Sequence, residues 1–183
     1  MENLVTHDII LVNEQDEPVG TMEKMEVHRK ALLHRAFSVF IFNSKGEMLL
    51  QQRALKKYHS AGLWTNACCS HPQPGQDTLQ AAETRLQQEM GFSANLKKIF
   101  EFTYRSDFDN GLTEYEFDHV FAGLHEGIPA PNKEEVADYC YKSMTAIKES
   151  LASHPEKYTS WFAIAFPLIE KWMEEQDIVK KVA

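Results

Sequence analysis

Glu114 and Glu116 flank Tyr115 in an extended stretch of sequence. Two carboxylates two residues apart on a strand project from one face, about 7 Å apart. Asp118 continues that face, while Tyr115, Phe117, His119 and Phe121 alternate onto the other, which reads as a core face. Such a pair can converge on one cation or exchange a proton with a bound molecule; taken alone it is equally a solvated acidic face. Three histidines extend the set: His28 and His34 bracket the short segment 29–33, and His71 stands directly before Pro72. Imidazole nitrogen combined with carboxylate oxygen suits a borderline divalent ion such as zinc, manganese or iron. The chain has eight histidines, so any one of them alone reads as a surface or satisfied core residue. Cys69 ends a short extended run two residues before His71. A thiol near a metal or cation has its pKa lowered toward neutrality and can then give and take protons. A nucleophilic role would call for a Cys-His-Asn arrangement, whose third member is not evident.

These residues need elements to hold them. Alternation of apolar and β-branched residues predicts strands at 7–13, 35–42, 47–52, 64–69, 99–105, 114–121 and 135–141. Residues 14–20 read as a turn and 22–33 as weakly helical or irregular. A turn at 43–46 makes 35–42 and 47–52 a hairpin, and Asp109-Asn110-Gly111 turns the chain between two later strands. The clearest helix is 77–90: Asp77 caps it, Gln80 follows three residues on, Leu79, Ala82, Leu86 and Met90 recur at helical spacing, and Gly91 stops it. Residues 145–152 and 161–174 read as helices, with Pro167 kinking or starting the second. The order predicts an α+β (mixed α/β) single domain, a mixed β-sheet flanked by helices.

Residues 70–92 resemble the Nudix box, a loop and helix whose glutamates bind divalent metal beside a pyrophosphate. Its usual form is G-x5-E-x7-R-E-U-x-E-E-x-G-U, where U is a bulky aliphatic residue. Glu89, Gly91 and Phe92 match its end. Ser70 replaces the first glycine, Gln76 the first glutamate, Thr84 and Arg85 the Arg-Glu pair, and Gln88 the penultimate glutamate. Of the consensus glutamates only Glu89 survives, so the fold signal persists without the hydrolytic carboxylate cluster.

With HRAFSVFIFN at 34–43, LLQQR at 49–53, TNACCSHP at 65–72, EYE at 114–116 and SWF at 160–162, the chain resembles the type I isopentenyl diphosphate isomerases over about residues 5–175. The resemblance implies one Nudix-like domain over 1–183, with a core at about 32–167, an N-terminal metal-ligand segment and a C-terminal helical extension. It implies conversion of isopentenyl diphosphate to dimethylallyl diphosphate in isoprenoid biosynthesis. His28, His34, His71, Glu114 and Glu116 match positions for a tight divalent ion, Mn²⁺ or Zn²⁺. Cys69 and Glu116 match the acid/base pair, and Tyr104 a tyrosine that hydrogen-bonds the catalytic glutamate. Glu89 matches a residue that binds Mg²⁺ with the substrate diphosphate. Lys24, Arg53, Lys57 and Arg85 match basic positions around that diphosphate, and Trp161 an aromatic lining the hydrocarbon pocket.

The chemistry asks for the same residue types. Moving the double bond means protonating an unactivated alkene and removing a proton from the neighbouring carbon, with a tertiary carbocation between. That takes two proton-transfer groups, exclusion of water, an aromatic face for the cation and a diphosphate anchor. Singly, Trp161 is a core residue, Tyr104 a strand residue, and the basic positions ordinary surface charges; their joint occurrence in order is what counts.

Bulk properties narrow the alternatives. The 183 residues carry 43% hydrophobic side chains, enough for one folded domain. The formal net charge of −8 gives nucleic acid little to hold. No apolar run reaches the ~20 residues of a membrane span, and the first residues do not read as a signal peptide. Three cysteines, two of them adjacent, make no disulfide framework or C-x-x-C pair and fit a reducing, cytoplasmic setting. The expected partner is a small molecule, with no nucleic acid and no membrane, and the protein a monomer or weak dimer. The alternative, a Nudix diphosphate hydrolase, needs the missing glutamates. A non-catalytic binding module would have no use for Cys69 together with both glutamates.

Overall fold

The computed structural model describes residues 8–182, with side chains as far as Gln176. His7, placed by the sequence in the first strand, lies outside the described residues. The chain order is β1 (Asp8–Val12), β2 (Pro18–Glu23), α1 (Lys24–Lys30), β3 (His34–Phe42), β4 (Met48–Arg53), β5 (Trp64–Thr65), β6 (Cys68–Ser70), α2 (Thr78–Met90), β7 (Lys97–Asp107), β8 (Thr113–Leu124), β9 (Val136–Lys142), α3 (Met144–Ser153) and α4 (Ser160–Val182).

β3 is the spine of one curled, mixed sheet. Along one edge it pairs in parallel with β8 from His34↔Glu116 to Phe42↔Leu124. Its other edge is shared: β1 meets it at His34, β6 at 37–39, and β4 only at Phe42↔Met48. The hairpin expected from 35–42 and 47–52 therefore opens after one pair, and β4 instead runs along β9. The expected turn at 14–20 is also shorter, because Pro18 and Gly20 already pair with β1. Pro18 is tolerated there because β2 lies at the edge of the sheet.

Alternation along β3 sorts the core onto two faces. Phe37, Val39 and Ile41 pack with Ala82, Leu86 and Met90 of α2. Phe40 and Phe42 pack with Ile147 of α3 and with Trp161, Phe162 and Ile169 of α4. The helices thus cover opposite faces of the sheet, and each hides an apolar stripe.

The helix ends follow their caps. Asp77 accepts from the Gln80 amide at 2.9 Å, and Ser143 accepts from Ala146 at the start of α3; such a cap stabilises by ~1 kcal/mol. Gly91 ends α2 at φ 76°, and a Cβ there would lie 2.2 Å from the Ala130 carbonyl oxygen. Only glycine fits that approach, which lets the loop after β8 bond back through Ala130 and Asn132 to the last turn of α2. The stretch 22–33 does contain a helix, α1, capped by the Glu23 carboxylate. Pro167 neither starts nor ends α4, which runs through it. The carbonyl it leaves without a donor belongs to exposed Ala163.

Candidate active site

The parallel register between β3 and β8 sets His34 beside Glu116, and the antiparallel register between β8 and β7 sets Tyr104 on Glu116's other side. One row across three strands therefore carries an imidazole, a carboxylate and a phenol. Glu114, two residues back, faces the same way. The carboxylate face, which as an isolated motif could have been solvated, is buried: Glu114, Glu116 and Asp118 are 6%, 8% and 1% exposed.

Helix α1 and the segment after β6 complete the cluster. His28, His34, His71 and Glu114 each bring a ligand atom within 4.8 Å of the others. Nε2 of His28 and Oε2 of Glu114 stand 3.1 Å apart, yet neither has a partner in hydrogen-bonding geometry, and nor has Nε2 of His34. Nδ1 of His34 lies 2.8 Å from the Leu32 carbonyl, which can only accept, so Nδ1 carries a proton and Nε2 is the ring nitrogen left to face the cluster. Buried donor atoms aimed at one point without bonding one another fit a divalent ion, as does a set of nitrogen and oxygen ligands. Glu116 borders the group: its Oε1 is 2.9 Å from His71 Nε2 and 3.6 Å from His34 Nε2.

The electrostatics fit a cation position. Burial opposes charge on Glu114, but the neighbouring His28, His34 and His59 imidazoles outweigh it and hold the carboxyl well below its usual range. Glu116 is pushed up by burial and by Glu114, and these are more than offset by His34 and His71, so it too is lowered. Burial pulls His34 down, yet the two carboxylates raise it to about 9. For His71, burial and the nearby Lys24 charge win and lower it to about 4. Tyr104 donates to Glu116 Oε2 at 2.6 Å, and its own ionisation is pushed far up by burial and by that carboxylate.

Adjacent residues on β6 point to opposite faces of the sheet. Cys68 enters the apolar cluster under α2, while Cys69 borders a cavity of about 700 Å³ that also reaches Glu114, Glu116, Tyr104 and Trp161. The Cys69 thiol donates to Asn66 Oδ1 at 3.1 Å, and Ser38 Oγ lies 3.4 Å from the sulfur. Asn66 donates from Nδ2 to the Val39 and Cys68 carbonyls, which fixes its orientation and leaves Oδ1 toward the thiol as the acceptor. Burial opposes the lowering toward neutrality that a nearby cation would bring to this thiol. It pushes the pKa up, which favours the protonated thiol.

The basic positions line the same cavity. Lys24, Arg53, Lys57 and Arg85 reach it together with Glu89. Lys57 pairs with Glu135, and Arg85 bridges Glu89 at 2.5 Å and Glu135 at 3.6 Å. The Arg53 guanidinium sits 5.1 Å over the Trp161 ring, and the Lys24 ammonium 5.5 Å over Tyr58. Glu89, also bonded by Gln51 at 3.2 Å, is the carboxylate that α2 offers here; Gln76 and Gln88 line the same wall as amides. A metal at Glu89 would need further oxygens from a ligand. Eleven of the thirteen candidate residues line the cavity, and His28 and His34 lie behind them in the imidazole cluster.

Several neighbours escaped the sequence reading. His59, Tyr58, Asn66, Ser38 and Glu135 all touch candidate residues. Asn66 lies inside the TNACCSHP stretch and was open to notice; His59 sits in a loop with no periodicity to mark it.

Comparison with known proteins identifies the family and the fold. A NUDIX domain matches residues 32–162. The isopentenyl-diphosphate Delta-isomerase of Pectobacterium atrosepticum is 48% identical over 167 residues, covering 91% of this chain and 93% of the relative. That of Serratia proteamaculans is 49% identical over 154 residues, 84% of this chain and 86% of the relative. Among solved structures, the fold resembles DR0079 from Deinococcus radiodurans, with a TM-score of 0.74 at 18% identity over 87% of this chain and 97% of that one. It also resembles a MutT protein from Methanosarcina mazei, with a TM-score of 0.62 at 17% identity over 79% and 95% of the two chains. The chain belongs to the isopentenyl-diphosphate Delta-isomerase family, built on a NUDIX domain.

Proposed function

We propose that the protein interconverts isopentenyl diphosphate and dimethylallyl diphosphate by proton transfer. One observation carries the reading: a thiol held protonated, Cys69, and a carboxylate held ionised, Glu116, border the same cavity. They are an acid and a base ready for the two halves of a double-bond shift. Cys69 gives its proton to the terminal alkene carbon, and Glu116 takes one from the carbon on the far side of the cationic centre; the roles exchange in the reverse direction. Tyr104, bonded to Glu116, fixes which oxygen faces the substrate. The Trp161 ring offers its π-face to the transient positive charge. Lys24, Arg53, Lys57 and Arg85 hold the diphosphate, so its binding energy positions the carbons.

His28, His34, His71, Glu114 and Glu116 would hold one divalent ion, Mn²⁺ or Zn²⁺, and Glu89 would hold Mg²⁺ with the diphosphate; bound there, the ions supply positive charge that keeps the carboxylates ionised and offsets the phosphates. The Nudix-like core spans about residues 32–167 and includes Trp161, with an N-terminal segment that contributes Lys24 and His28 and a C-terminal helical extension. Acting on a free small molecule, the protein would work in the cytoplasm as a monomer or weak dimer. Incubation with isopentenyl diphosphate, Mg²⁺ and Mn²⁺ tests the reading. The dimethylallyl isomer should accumulate without release of phosphate; phosphate release without isomer would contradict it.

A further inference from the structure

His59 lies outside the four-residue cluster and carries none of the roles assigned so far, yet it is 8% exposed and held from every side. Its ring stacks on Phe108 at 4.8 Å and 16°, meets Trp161 edge-on at 5.7 Å and Tyr58 edge-on at 4.5 Å. Nδ1 is 3.2 Å from Ser60 Oγ, and the backbone carbonyl accepts from Arg53 at 3.3 Å. The remaining ring nitrogen, Nε2, stands 3.1 Å from Glu114 Oε1. The other carboxylate oxygen, Oε2, is the one that faces His28 at 3.1 Å and His34 at 3.7 Å. The two oxygens of Glu114 are thus divided between an outer imidazole and the inner cluster.

We infer that His59 is a positioning residue for the candidate metal ligand Glu114: it holds Oε1 so that Oε2 alone is presented to the ion. The inference rests on the metal-binding reading above. A carboxylate left free to rotate could turn both oxygens inward or swing into the cavity. Outer partners that fix a ligand's orientation typically change metal affinity 10- to 100-fold when removed. Because the same ring packs edge-on against Trp161, it also ties the ion cluster to the wall proposed to face the hydrocarbon.

The test is the affinity for Mn²⁺ or Zn²⁺, measured by competition with a coloured chelator and independently of turnover. His59→Ala should weaken binding about 10- to 100-fold. His59→Gln should stay within about threefold of the wild type, because its amide can donate to Glu114 while being a poor metal ligand. In a Glu114→Gln background, His59→Ala should add little further loss, since the residue acts through Glu114. Wild-type affinity in His59→Ala would overturn the inference. So would a His59→Gln protein as weak as His59→Ala, which would make His59 a ligand or mere packing; this comparison stands even if the alanine variant folds poorly. Wild-type protein that takes up no ion would overturn the metal-binding reading, and the inference with it.

Discussion

Cys68 and Cys69 share a peptide bond and face opposite sides of the sheet: Cys68 is fully buried in the cluster under α2, and Cys69 borders the cavity shared with Glu116. The division follows from the two-residue alternation of a strand. Cys69→Ala should lower kcat at least ~100-fold, as loss of a proton-transfer group does, with the melting temperature nearly unchanged. Cys68→Ala should keep substantial activity and instead lose ~1 kcal/mol of stability from the small cavity left behind. Activity assays and thermal melts of both proteins decide it; reversed effects would place the site on the other face.

Removing imidazole or carboxylate from the buried cluster should empty it. His71→Ala and Glu114→Gln should purify with far less than the roughly one divalent ion per chain expected of the wild type. Glu89→Gln should keep that ion and weaken only the Mg²⁺ that accompanies diphosphate. Elemental analysis of the three variants makes the comparison, and full occupancy in both His71→Ala and Glu114→Gln would remove the ligand assignment.

Much of this was readable from the residues, and the failures have physical causes. Helix α2 was legible because Asp77 and Gly91 act locally, through a cap and a left-handed backbone. The hairpin of β3 with β4 shrinks to one pair because β6 and β1 take the rest of that edge and β4 runs along β9, and alternation does not reveal which strand lies alongside. Strand β2 was hidden by Pro18 and Gly20, turn residues that an edge position tolerates. The burial of the Cys69 thiol, which favours its protonated form, does not show in the sequence. His59 offered no spacing to any other ligand, and only the fold brings it to Glu114.

Asp118 gives a pH signature. Buried, and beside the charge of Glu116, its carboxyl is raised well above 3.8. The folded protein therefore binds a proton that the unfolded chain gives up as pH rises past its ordinary value. Stability linked to this group is fully present at low pH and declines as pH climbs toward the raised folded pKa. Asp118→Asn, which mimics the protonated acid, lacks that decline. In metal-free protein its melting temperature should exceed the wild type's at pH 7, and the gap should close by about pH 4. Melts across pH 4 to 8 would show it, and a constant gap would contradict the assignment.

The most direct measurement is the reaction run in D₂O with isopentenyl diphosphate, Mg²⁺ and either Mn²⁺ or Zn²⁺, followed by proton and phosphorus NMR in one tube. If Cys69 and Glu116 are the acid and base of a double-bond shift, a solvent-derived deuteron must be delivered to the terminal alkene carbon. Deuterium should then appear in a methyl group of dimethylallyl diphosphate, with both phosphates still attached. Phosphate release without deuterium uptake would identify hydrolysis instead, and no change in either spectrum would contradict catalysis at this site altogether.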